Sequence, residues 1–167
     1  MLIDPKIIRI EPKIMVGLSI TTNQKSPEHT QQLWRSFMPH ISKISHKKDQ
    51  NLYSIQLYPS HIDFSLFNPD TTFQKWAAVE VEAADVVPEG MKTLQITSGD
   101  YAIFIHHGPA INFPKTAQYI FGMWLPNSIY DFDARPQFEI MGPNYKGPED
   151  ADSQEEVWIP IKKKATY

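Results

Sequence analysis

The chain has 167 residues, 41% of them hydrophobic and 21% charged, which fits one globular domain and excludes a disordered chain, a fibre or a coiled coil. A net charge of −3 argues against nucleic acid as a direct partner, since phosphates are met by clustered Lys and Arg. The absence of cysteine removes disulfides, Cys-ligated zinc and thiol catalysis, and fits a reducing compartment.

From the N-terminus, Met1 to Ile20 interleaves Asp4, Lys6, Arg9, Glu11 and Lys13 with its apolar residues, unlike the unbroken apolar run of a signal peptide. No stretch reaches the roughly 20 apolar residues of a membrane span, so the expectation is a cytoplasmic protein. Ile7 to Ile20 has strand character interrupted by Pro12. Ser26-Pro27-Glu28 then opens a helix, with Leu33, Trp34, Phe37, Met38, Ile41 and Ile44 at helical spacing and Pro39 as a kink. Tyr53 to Tyr58 and Phe73 to Val81 read as strands. After the junction Val87-Pro88-Glu89-Gly90, Met91 to Thr97 and Tyr101 to His106 are strands around a turn or bulge at Ser98-Gly99-Asp100.

A second helix starts at Pro114, presents Ala117, Ile120, Phe121 and Trp124 on one face, and stops at Pro126. Strands Gln137 to Met141 and Glu155 to Ile161 close the chain around a Gly/Pro/Asp/Asn-rich loop expected to be mobile, Gly142 to Ser153. Lys162 to Lys164 reads as a solvated basic tail. The order strand, helix, strand, strand thus occurs twice. It predicts an α+β fold within one domain, 1–167, made of two pseudo-repeats, 7–82 and 91–162. An antiparallel sheet and a central pseudo-twofold cleft would unite them, and a ligand would sit in the cleft.

The motifs of dinucleotide, nucleotide, nucleophile-elbow and zincin sites are absent. His106 and His107 are neighbours in a strand and point to opposite faces, which makes a shared metal impossible and a structural role the expectation. His29, His40, His46 and His61 show no ligand spacing, and no metal or cofactor is expected. Glu80 and Glu82 share a strand face, but a solvated end beside a polar junction accounts for both. Glu139 differs, as the lone carboxylate of Phe138-Glu139-Ile140-Met141. In an internal strand its desolvation costs several kcal/mol unless a partner offsets it, so such an acid points to a cation or a proton.

The runs Gly99 to Pro109, Trp124 to Tyr130, Phe138-Glu139 and Glu156 to Ile161 together resemble the GyrI-like effector-binding superfamily, and within it the integron-associated branch. The resemblance implies the duplicated fold found in the drug-sensing halves of multidrug transcription activators. It also implies that Glu139 is the acid that meets lipophilic cations and that Trp158 belongs to the pocket wall. Many relatives carry Tyr two residues after that Glu, where this chain has Met141. The chain has no helix-turn-helix segment to spare and so resembles the free-standing members.

These readings converge on the expectation of an effector-binding protein taking a small amphipathic, cationic molecule, with a role in transcription regulation or drug sensing. Glu139 is the expected counter-ion and Trp158, Trp76, Tyr58 and Phe104 are the expected walls. Strand alternation puts Tyr58 with Gln56, Trp76 with Glu80, Phe104 with His106 and Trp158 with Glu156; core packing is the competing account of each ring. No catalytic residue is assigned. One alternative is a hydrolase of strained, cyclopropane-type electrophiles with Glu139 as base and Tyr101 or Tyr130 beside it. Another is a protein-interaction module with a closed cleft. A protein partner, such as a separate DNA-binding subunit or a DNA gyrase-type target, is implied by analogy alone.

Overall fold

The computed structural model describes residues 4–59, 62–63 and 66–165; His61 lies outside them. Pro12 separates β1 (Lys6–Ile10) from β2 (Lys13–Thr22). Helix α1 (Pro27–Phe37) begins on Pro27 and carries Glu28 in its first turn, where an acid complements the helix dipole. Pro39 ends it: the chain tightens into a 3₁₀ turn over Met38–Lys43. Strands β3 (Leu52–Leu57), β4 (Phe73–Val81), β5 (Lys92–Ile96) and β6 (Gly99–His107) follow.

The second helix is less regular than its apolar spacing predicts. It comprises α2 (Phe113–Tyr119), a π turn at Ile120–Trp124 and the short α3 (Leu125–Asn127). Its wider turn buries Ile120 but leaves Phe121 38% exposed. Three further strands complete the fold: β7 (Tyr130–Phe132), β8 (Gln137–Met141) and β9 (Gln154–Lys163). The loop before β9, expected to be mobile, is pinned. Lys146 N–H donates to Ser153 Oγ at 2.8 Å, Gln154 N–H to Asn144 O at 2.9 Å, and Ala110 N–H to Pro148 O at 2.7 Å.

All strands join one antiparallel sheet in the order β1-β6-β9-β8-β3-β4-β2-β5, with β7 added along β9. The units β2-α1-β3-β4 and β6-α2-β8-β9 occupy its two sides, and β3 pairs with β8 at the centre. The fold is α+β, with one large antiparallel sheet and two helical segments on one face.

On that face α1 buries Leu33 and Phe37 against Val16, Ala77, Val79 and Val81, and the second helical segment buries Ile120 against Ala102, Phe104, Val157, Ile159 and Ile161. The opposite face needs no helix. Ile10 from edge strand β1 and Ile96 from edge strand β5 join the same cluster as the central Tyr53, Trp76, Tyr101 and Phe138, because the sheet coils around them. Arg135 ties β6 to β9, donating to the carbonyls of Asp100 at 2.6 Å and Ile161 at 3.1 Å while its guanidinium lies 4.7 Å from the Tyr101 ring centroid. Gly99 makes room for it, since a Cβ there would meet that guanidinium at 2.5 Å.

Candidate functional site

Register and alternation place a polar nest on the helix-bearing face, between the two helical segments. One row across β4, β3 and β8 reads Lys75, Gln56, Gln137, and the next, extended onto β9, reads Ala77, Ser54, Glu139, Val157. Glu155, two residues before Val157, shares its face and pairs with His106 of β6. Adjacent strands lie about 4.8 Å apart, so side chains from four strands meet in one patch of an otherwise apolar layer.

Glu139 is 4% exposed, Gln137 4% and Lys75 9%. Burial pushes the Glu139 carboxyl up to about 7; Lys75 works against this and Glu155 with it, while a backbone hydrogen bond and His106 lower it. Burial also raises the Glu155 carboxyl, again opposed by Lys75. Three buried acceptors, Glu139 Oε2, Gln56 Oε1 and Gln137 Oε1, have no hydrogen-bond partner. Such groups are rare in folded proteins, since each forfeits its hydration. His106, by contrast, is held on both sides: Nδ1 is 2.7 Å from Thr116 Oγ1, and Nε2 donates to the Pro109 carbonyl at 3.1 Å.

Beyond the Lys75 row the face turns aromatic. Tyr58 follows Gln56 on β3's side of the nest, and its ring centroid lies 5.6 Å from Phe73, 5.9 Å from Phe67 and 6.2 Å from Phe132. Burial raises the Tyr58 phenol, helped by the charge of Glu139. A cavity of about 60 Å³ opens beside it, lined among others by Leu57, Phe132 and Arg135.

Of the five residues expected from sequence, the structure brings Glu139 and Tyr58 together. Phe104 shares their face but packs beneath the second helical segment, 5.2 Å edge-on to Trp124. Trp158 and Trp76 lie on the opposite face, in the coiled core. There Trp158 stacks on Phe138 at 5.2 Å and donates to Glu156 at 3.0 Å. Alternation pairs residues correctly within each strand, but two of the four expected mixed faces point away from Glu139. Tyr101 also points away and donates to the Pro136 carbonyl at 2.7 Å, and Tyr130 stacks on Trp124, so neither stands beside Glu139 as a hydrolase would need. Glu80 is not solvated: it is 4% exposed, paired with Lys13 at 3.1 Å and Lys48 at 3.4 Å, and accepts from Tyr53 Oη at 3.2 Å.

Sequence reasoning put Gln56 on the same face as Tyr58 but missed Lys75, Gln137, Glu155, Phe73 and Phe132. The signal for Lys75 was present, as the lone cation in the apolar strand Phe73–Val81, the same pattern that singled out Glu139. Among the described residues no helix is long and apolar enough to cross a membrane.

Known proteins agree with this architecture. The transcriptional regulator BrlR of Pseudomonas aeruginosa is 31% identical over 131 residues, 78% of this chain but 45% of the regulator, so the chain spans less than half of that relative. The structure of SAV2435 bound to tetraphenylphosphonium superposes with a TM-score of 0.73 at 12% identity, covering 96% of this chain and 94% of the other. The integron cassette protein VCH_CASS2 of Vibrio cholerae superposes with a TM-score of 0.66 at 16% identity, covering 96% and 97%. The family model described as the GyrI-like small molecule binding domain matches residues 3–162, and the chain is a member of that family.

Proposed function

We propose that this small-molecule binding domain takes an amphipathic cation into the nest around Glu139, beneath the rings of Tyr58, Phe73 and Phe132. The observation that carries the reading is the buried Glu139 Oε2, left without a hydrogen-bond donor beside two amide oxygens in the same state. A site short of donors and positive charge favours a ligand that supplies one or both. The adjoining rings add cation–π attraction while fixing little of the ligand's shape, which suits a range of lipophilic cations. The tetraphenylphosphonium held by the neighbour SAV2435 belongs to this chemical class. Because Glu139 is 4% exposed, entry requires the aromatic cap to part, so binding couples to movement of the cap. Cation sensing in transcription control is the setting that the BrlR relationship supports.

The test is titration calorimetry with tetraphenylphosphonium and the neutral triphenylphosphine oxide on the wild type and Glu139→Gln. The expected result is a loss of roughly 1.5 to 3 kcal/mol for the cation and far less for the neutral compound. Equal losses for both would show that Glu139 is not the counter-ion.

A further inference from the structure

Lys75 projects from the interior of β4 onto the same face as the buried Glu139 and the half-buried Glu155. It is 9% exposed and makes no ion pair among the described residues. A cation so placed must otherwise be explained by what surrounds it, because buried charges are ordinarily paired. Its field reaches both Glu139 and Glu155 and favours the ionised form of each. Lys75 is therefore shared between two acids without neutralising both. The other titratable groups whose charge is felt in the nest are His106 of β6, held by Thr116 and Pro109, Tyr58, just past the end of β3, and Tyr145, whose phenol is raised by burial and by Glu155.

We propose that Lys75 sets the charge number of the ligand: by offsetting one of the two carboxylates it leaves a single net negative charge, and so selects monocations over dications. The inference rests on the cation-binding reading above and adds a specificity residue to it. A monocation brings the nest to neutrality. A dication leaves an excess positive charge in a desolvated layer, where like charges repel most strongly. Gln56 and Gln137, which continue the Lys75 row onto β3 and β8, supply unpartnered amide oxygens but no charge, so the count depends on Lys75, Glu139 and Glu155.

The experiment compares affinities for tetraphenylphosphonium and for the dication p-xylylenebis(triphenylphosphonium) at about pH 8.5, where free imidazole and phenol are uncharged. Removing a unit charge at this range changes a monocation's affinity by about tenfold and a dication's by about a hundredfold. Lys75→Met is expected to tighten both by these factors, shifting the preference about tenfold toward the dication. Glu155→Gln is expected to weaken both by the same factors, and Lys75→Met combined with Glu155→Gln to return the ratio to that of the wild type. Should Lys75→Met fail to fold, Lys75→Gln, which removes the charge but keeps a polar side chain, takes its place in the single and the double variant with the same expected shifts.

An unchanged ratio across the variants, with monocation binding still lost in Glu139→Gln, overturns the role of Lys75 alone. Weaker monocation binding in Lys75→Met also overturns it, since Lys75 would then contact the ligand. No cation binding by the wild type overturns the cation reading and this one with it.

Discussion

Glu139 is an acid that the fold keeps from water, and this links stability to pH. Its carboxyl ionises near 4.5 when unperturbed and near about 7 in the folded chain. Between those values the folded state holds a proton that the unfolded state has released, so stability falls as pH rises through this window and levels off above it. The loss from this group is about 3 kcal/mol. Glu139→Gln has nothing to titrate there. Its melting temperature is expected to gain roughly 6 to 12 °C on the wild type between about pH 4.5 and pH 8, and a difference that stays constant with pH would show that Glu139 does not enter the folded state as a desolvated acid. This residue was legible in sequence because it is the lone charge in an apolar pentapeptide. Trp158 and Trp76 were not placed correctly by the same reasoning, since alternation says which residues of a strand share a face and not which face of the next strand they join. That depends on register, and the β3·β8 pairing that brings Gln56 to Gln137 joins residues about half the chain length apart.

At the scale of elements, β4 and β8 match their expected limits residue for residue, Phe73–Val81 and Gln137–Met141, because charged or Gly/Pro-containing segments bracket both. Strand β7 escaped notice because its three residues carry no periodicity. It exists by pairing with β9, Tyr130 against Lys163 and Phe132 against Ile161. The π turn escaped for the opposite reason, since its apolar spacing is that of an ordinary helix. One close backbone approach in the sheet, at Gly17, is also invisible in sequence. A Cβ at Gly17 would run into the Ala77 carbonyl oxygen and stand 2.8 Å from the Ala78 Cα, where β2 pairs with β4. The obstacle is backbone, so repacking side chains cannot relieve it. Gly17→Ala is expected to destabilise the fold by about 3 kcal/mol, near the upper range for overpacking, measured as a lower urea midpoint at an unchanged slope. A midpoint shift below about 0.5 kcal/mol equivalent would show that the strands separate freely there.

At the scale of the molecule, the strand order reads alike from either end: an edge strand, two unit strands, then β8 or β3 at the centre. The edge strands β1 and β5 have five residues each and the same sequence of burial, ending on buried Ile10 and Ile96. Each pairs with the start of the other side's first strand, β1 with β6 and β5 with β2. We propose, on this ground, that residues 7–82 and 91–162 are two copies of one unit within a single domain, each completed by an edge strand from the other. Such an exchange makes the units interdependent: melting one strips the edge from its neighbour and opens the shared cluster of Tyr53, Tyr101 and Phe138. One cooperative transition should follow. Trp34 and Trp76 report on the first unit and Trp124 and Trp158 on the second, so two variants with one pair each replaced by Phe give separate fluorescence readouts. After correction for each variant's own stability by circular dichroism, fluorescence and circular dichroism midpoints should coincide in both. Adding Gly17→Ala, which lies in the first unit, should shift the second unit's tryptophans by as much as the first's. A shift confined to Trp34 and Trp76 would mean that the halves fold independently and that the exchanged edges do not couple them.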